Sequence, residues 1–250
     1  MFNKNKKNNM TSRKKISEEL SQPQSKKDFI NSVIKKRQKN KFLTENQKVY
    51  YDKLMENEIT ICSGPAGTGK SYISLKAAID LLLDPTNSYE KLMIVRPAVE
   101  SSSSSLGSLP GDLREKMGPY VYSSLSLLDK LIGKEATSKL EESGVLEIMS
   151  LSFLRGFNAD NMILIFEESQ NSTPAEMKML LTRIGFNSKF FISGDIDQSD
   201  KFKQKEKSGL YDAIKRLQDI NKIGIFEFNA DDVVRNPIIK EIIKRYDTEH

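Results

Sequence analysis

The apolar residues of this chain fall into two kinds of stretch. Short runs such as 92–95 (LMIV) and 162–166 (MILIF) are continuous, without clear alternation of apolar and polar positions. Strands of that type are buried on both faces, as in a parallel sheet covered by helices on each side. Between them lie longer stretches with apolar residues at helical spacing. The pattern predicts helix 44–56, strand 58–63, a glycine-rich turn and helix 70–83, then strand 91–96 and helices over 111–142. Strands 145–149 and 161–167, helix 174–184, strand 188–193, helix 208–219, strand 223–229 and helix 236–246 follow. Upstream, Phe29, Ile30, Val33 and Ile34 have helical spacing too, so a short amphipathic helix is expected to dock on the body. There is no internal repeat. The fold class is α/β, mainly parallel, with helices on both faces of the sheet.

Composition narrows what such a fold can do. At 250 residues there is room for one sizeable domain, 42–250, behind an arm, 1–41. The single histidine is His250, which removes Ser-His-Asp hydrolases, Cys-His proteases and nearly every zinc site. One cysteine, Cys62, excludes an internal disulfide and fits a reducing cytosol, or a protein that needs no bridge. No apolar stretch approaches ~18 residues, and the polar N-terminus lacks the apolar segment of a secretory signal. A cytoplasmic protein with no membrane span is therefore expected. The net charge of +5 is unevenly placed: residues 1–41 hold thirteen Lys/Arg against three Asp/Glu, and the remainder twenty-six against thirty-one. The first 25 residues are polar and basic, which predicts disorder. A solubilising tail and a phosphate-binding arm both fit this charge.

The chemistry starts at the glycine-rich turn. Gly64, Pro65, Ala66, Gly67, Thr68, Gly69, Lys70 and Ser71 fit G-x-x-x-x-G-K-[ST] completely, between a predicted strand and a predicted helix. The glycines let the backbone curl so that its N–H groups point at phosphate oxygens, and the helix N-terminus adds partial positive charge. Lys70 can reach the β- and γ-phosphates, and Ser71 offers a hydroxyl to Mg²⁺.

A nucleotide-hydrolysing site also needs one acid in the Mg²⁺ shell and another to orient the attacking water. The strand predicted at 161–167 runs straight into two, Glu167 and Glu168. By position Glu167 is the metal-side acid and Glu168 the water-polarising one. A second strand tip, Ser193-Gly194-Asp195 followed by Gln198, is placed to sense the γ-phosphate.

Taken in order, these segments resemble the PhoH family of nucleotide-binding proteins. The matching stretches are TENQ (44–47), GPAGTGKS (64–71), RPAVE (96–100), LGSLPGDLREKMGPY (106–120), LRG (154–156), EESQNSTPAEMKMLLTRIG (167–185), SGDIDQSD (193–200) and DVVRNPIIKEIIKRY (232–246). The resemblance implies a RecA-like P-loop core of the superfamily 1 helicase type, with strand 188–193 between strands 58–63 and 161–167. It implies ATP over GTP through a Gln47–adenine contact, γ-phosphate sensing by Gln198, and Mg²⁺-dependent ATPase activity. Family members are described as linked to RNA in some cases and to phosphate starvation. Two departures stand out. The family usually carries Asp-Glu-Ala-Gln-Asn where this chain has Glu167-Glu168-Ser169-Gln170-Asn171, and glycine and acid where residues 101–105 are five serines.

Superfamily 1 helicases complete the ATP site with an arginine from a second RecA-like domain. Only about 50 residues follow Asp200, too few for one. Candidates within this chain are Arg155, Arg183 and Arg235, the last resembling the arginine of the family's final motif. A neighbouring subunit can present such a residue, and that head-to-tail contact closes into a ring or continues as a filament. A homo-oligomer, with a hexameric ring as one form, is expected. The partner implied by the resemblance and the basic arm is single-stranded nucleic acid, RNA ahead of DNA. The competing expectation is a slow ATP-dependent regulatory or assembly protein without helicase activity.

Overall fold

The structure, a computed structural model, describes residues 25–35, 41–97, 118–199, 201–202, 204–234, 238 and 245. The predicted disordered segment up to residue 24, the serine run, Arg235 and nearly all of the predicted 236–246 helix lie outside the described residues.

Six strands make one parallel sheet: β1 (Ile59–Ser63), β2 (Lys91–Arg96), β3 (Leu146–Ser150), β4 (Met162–Phe166), β5 (Lys189–Gly194) and β6 (Ile223–Glu227). Their spatial order is β3-β2-β4-β5-β1-β6, so β5 separates the acidic strand β4 from the phosphate-loop strand β1. This is the RecA-like arrangement. Seven α-helices accompany the sheet among the described residues: α1 (Lys26–Val33), α2 (Glu45–Glu56), α3 (Lys70–Leu83), α4 (Gly118–Ile132), α5 (Lys134–Glu142), α6 (Pro174–Leu181) and α7 (Gly209–Leu217). None is long and apolar enough to cross a membrane.

The missing alternation in the strands has a direct cause. Successive side chains point to opposite faces, and both faces are covered. Leu92, Ile94, Ile163, Ile165 and Phe191 pack into one core with Ile30, Tyr50, Ile73, Leu128 and Leu140 of α1–α5. Met93, Val95, Leu164, Phe166, Phe190 and Ile192 pack into the other with Met177, Leu180, Leu210 and Ala213 of α6 and α7. Each such side chain contributes ~1.5–3 kcal/mol on burial, so neither face tolerates a polar set. The upstream helix docks through Ile30, which is fully buried, and is capped by Ser25, whose Oγ accepts from Asp28 N at 3.1 Å.

Helix ends are set by local chemistry. Thr44 caps α2 by accepting from Gln47 N, and Thr173 with Glu176 forms a reciprocal capping box on α6, with Pro174 at its first position. The C-terminal carbonyls of α2 are satisfied from a distance. Lys189, at the start of β5, is nearly buried and donates to the carbonyls of Leu54 (3.3 Å), Met55 (2.8 Å) and Asn57 (2.5 Å). Burial lowers its pKa, with the Glu58 charge partly restoring it. Because all strands run the same way, the segments leaving β1, β2, β4 and β5 emerge at one edge of the sheet, where α/β proteins bind ligands.

Candidate nucleotide site

The loop after β1 is built for close backbone approach. Gly64, Gly67 and Gly69 have φ of 144°, 87° and 93°, conformations that L side chains rarely adopt. A Cβ on Gly64 would also lie 2.6 Å from Phe228 Cβ. Gly69 is the N-cap of α3 and provides no side-chain cap, and a helix N-terminus of this kind favours an anion. Lys70 folds back into the loop, its Nζ donating to the carbonyls of Gly64 (2.5 Å) and Pro65 (2.9 Å). Thr68 is buried and donates to Pro65 O at 3.1 Å. The C-terminal segment reaches the loop as well, through Val234 N–H to Gly67 O at 3.0 Å. Below it, burial pushes the Cys62 thiol up to about 12, which removes it as a nucleophile.

Gln47 sits behind the loop, 3 % exposed. Its Nε2 donates to Thr68 O at 3.0 Å and its Oε1 accepts from Leu43 N at 2.8 Å. The amide therefore fastens the loop to the segment ahead of α2, using one N–H and one lone pair among the described residues.

The two acids diverge. Glu168 adopts left-handed backbone geometry (φ 53°, ψ 34°), uncommon for a non-glycine residue, and is exposed. It faces the cleft. Glu167 is 2 % exposed; its Oε2 accepts from Arg96 Nη2 (2.7 Å), Arg96 Nε (3.2 Å) and Ser124 Oγ (2.8 Å). Among the described residues its Oε1, also buried, has no hydrogen-bond partner.

Two residues without a role in the sequence reading hold this wall together. One is Arg96, at the end of β2. The other is Gln170, 2 % exposed, whose Nε2 donates to Glu168 Oε2 (2.8 Å) and Gln198 O (3.3 Å) while its Oε1 accepts from Asp195 N (3.1 Å). A Cβ on Gly194 would lie 2.4 Å from Gln170 Oε1, so the glycine is what lets the amide approach. Both residues fall inside the matched stretches RPAVE and EESQN, but nothing in the residues alone marks them. Asp195 is nearly buried; burial raises its carboxyl above the usual range, opposed by the Asp197 N–H and Lys70 and reinforced by the Asp197 and Glu168 charges.

These walls enclose a cleft of about 380 Å³, lined by Ala66, Gly67, Gly69, Lys70, Ser71 and Tyr72 on one side and by Glu168, Gln170, Ser193, Gly194, Asp195 and Gln198 on the other, with Leu127 of α4. The fold thus brings Lys70, Ser71, Glu168 and Gln198 together. Gln47, Pro65, Thr68 and Glu167 stand behind the lining, and neither Arg155 nor Arg183 belongs to it. Among the described residues no group of three His, Cys, Asp or Glu could hold a metal ion unaided. A cation here would arrive with phosphates, the habit of Mg²⁺. Ser71 and the orphaned Glu167 Oε1 fit that use.

Residues 40–247 match the family model described as PhoH-like protein. The chain belongs to the PhoH-like family. A PhoH-like protein of Bacillus subtilis is 41% identical over 207 residues, covering 83% of this chain and 64% of the relative. Protein PhoH of Escherichia coli is 32% identical over 204 residues, covering 81% and 56%. The chain spans less than two thirds of the length of these relatives. Likenesses to solved structures are more remote: the large terminase of a thermophilic bacteriophage (TM-score 0.49, 9% identity, 82% of this chain and 50% of that one) and the UvsW helicase of bacteriophage T4 (TM-score 0.43, 16% identity, 82% and 67%).

Proposed function

We propose that this PhoH-like protein binds ATP with Mg²⁺ in the cleft and hydrolyses it. One observation carries the reading: Lys70 and Ser71 on the phosphate-loop wall face Glu168 and Gln198 across a cavity of about 380 Å³. Lys70 leaves the Gly64 and Pro65 carbonyls for the β- and γ-phosphates when nucleotide enters. The backbone amides of Gly64, Ala66, Gly67, Thr68 and Gly69 cradle the phosphates. Glu168 orients the attacking water and Gln198 senses the γ-phosphate. Gln47 reads adenine through its side-chain amide. Ser71 and Glu167 serve the metal shell, and Mg²⁺, when bound, neutralises charge on the transferring phosphoryl group.

The protein acts on or with single-stranded nucleic acid, RNA ahead of DNA, as a homo-oligomer. Support comes from the net charge of residues 1–41 and from the PhoH-like family. Arg235 completes the site from a neighbouring subunit. A slow, switch-like ATPase that controls a partner is the second reading, favoured by Glu167 standing where the family usually has Asp. ATP turnover with Mg²⁺ or EDTA, with and without single-stranded RNA and DNA, tests the scheme. Mg²⁺-dependent turnover stimulated by RNA is expected; no turnover in any mixture refutes the hydrolytic reading.

A further inference from the structure

We infer that Arg96, with Ser124, is the positioning residue of the metal-side acid, tying one oxygen of Glu167 so that the other stays bare for the metal shell. The inference rests on the reading of the cleft as a Mg²⁺–nucleotide site. An arginine paired with a carboxylate commonly places two parallel N–H bonds on its two oxygens. Here both Arg96 donors converge on Oε2, at 2.7 and 3.2 Å, and Ser124 Oγ adds a third at 2.8 Å to the same atom. Oε1 receives none among the described residues, although it is buried.

For an ion pair whose purpose is stability that distribution is unfavourable. An unmet buried acceptor carries a desolvation penalty, larger when charged, and a fork on both oxygens would remove it. For a carboxylate that presents one oxygen to a hydrated cation it is the required distribution: charge balanced, orientation fixed, one atom free. The clamp is itself braced, since Arg96 Nη2 also donates to Ser123 Oγ at 2.9 Å, joining the end of β2 to α4. Partners of this kind tune metal affinity without touching the ion.

The test uses the full chain and a fluorescent ADP analogue, with affinity measured across a Mg²⁺ titration and in EDTA. Arg96→Gln is expected to raise the Mg²⁺ concentration for half-effect ~10-fold or more while leaving affinity in EDTA unchanged. Arg96→Lys should recover part of the loss. The double variant Arg96→Gln/Glu167→Gln should be no worse than Glu167→Gln alone, because both act on one oxygen. Ser124→Ala, a milder change that keeps the ion pair, should shift the titration in the same direction. An unshifted titration in both Arg96→Gln and Ser124→Ala, or additive losses in the double variant, overturns the assignment of Arg96. If Mg²⁺ leaves analogue affinity unchanged in the unaltered protein, the site reading falls first and the inference with it.

Discussion

The two walls of the cleft are built on opposite principles. The phosphate-loop wall is eight consecutive residues, 64–71, and works through backbone: three glycines with positive φ, a helix N-terminus without a side-chain cap, and one lysine. The facing wall is assembled from β2, α4, the end of β4 and the loop after β5, and works through side chains that hold one another. In the first, the groups that face the cleft are contiguous in the chain, though distant residues such as Gln47 and Val234 hold the loop. In the second, a change at one residue reaches the others through shared hydrogen bonds. Substitutions should therefore act locally on the loop and collectively on the acid wall.

The largest effect is expected at Lys70. Lys70→Ala should abolish turnover, a loss of ~10³-fold or more, the scale of removing a principal electrostatic stabiliser. Nucleotide binding should vanish with it, while the melting curve stays within ~0.5 kcal/mol of the unaltered protein, because the ammonium lies at the cleft, donating to the loop carbonyls of Gly64 and Pro65, and not in the apolar core. Normal hydrolysis by a folded variant would break the loop assignment.

Glu168→Gln comes next. It preserves size and hydrogen bonding but removes the charge proposed to polarise water, so hydrolysis should fall ~10²-fold with ATP binding retained. Single-turnover hydrolysis together with a filter-binding assay checks both halves. An unmodified rate would show that the two carboxylates do not divide the work in this way.

The same contrast explains how much could be read in advance. The loop was legible because its residues are contiguous and its glycines have a mechanical reason. The strands were legible because two buried faces force continuous apolar runs. The position of β5 between β4 and β1 came from the family resemblance and not from residue pattern. The acid wall resisted. Arg96 and Glu167 are 71 positions apart, and Gln170 and Asp195 are 25, so their meeting depends on strand order. Nor does any local signal announce left-handed geometry at Glu168, where glycine or asparagine is the usual occupant. Lys189 is similar: a lysine entering a buried strand makes sense only once the end of α2 is beside it.

Gln170→Ala is the direct test of collective behaviour. It removes one amide that serves Glu168, the Gln198 carbonyl and the Asp195 N–H at once. Stability should drop ~1–3 kcal/mol, the cost of unmet buried partners, visible in urea unfolding. Turnover should fall about 10-fold, since misplacement of supporting groups degrades catalysis without removing it. A loss confined to stability, with turnover per folded molecule unchanged, would mean that the wall is scaffold alone.

The smallest effect separates metal binding from chemistry at one residue. Glu167→Asp keeps the charge and both oxygens but shortens the side chain by one methylene. Asp is the residue the family usually carries, so a site that simply tolerates Glu should improve. The geometry argues the reverse. Oε2 is already engaged at 2.7, 2.8 and 3.2 Å by donors from β2 and α4, which are positioned for the longer side chain. Retracting the carboxylate must stretch either that clamp or the reach of the bare oxygen. Weakening one charge-assisted bond costs ~1.5–3 kcal/mol, so the Mg²⁺ requirement should rise about 10-fold. At saturating Mg²⁺ the cation's own waters can span the gap, and kcat should change by only a few-fold. Steady-state rates over a Mg²⁺ titration distinguish the cases: a shifted titration with nearly preserved kcat supports a clamp adapted to Glu167, and faster turnover with unshifted Mg²⁺ dependence supports a deliberately slow ATPase.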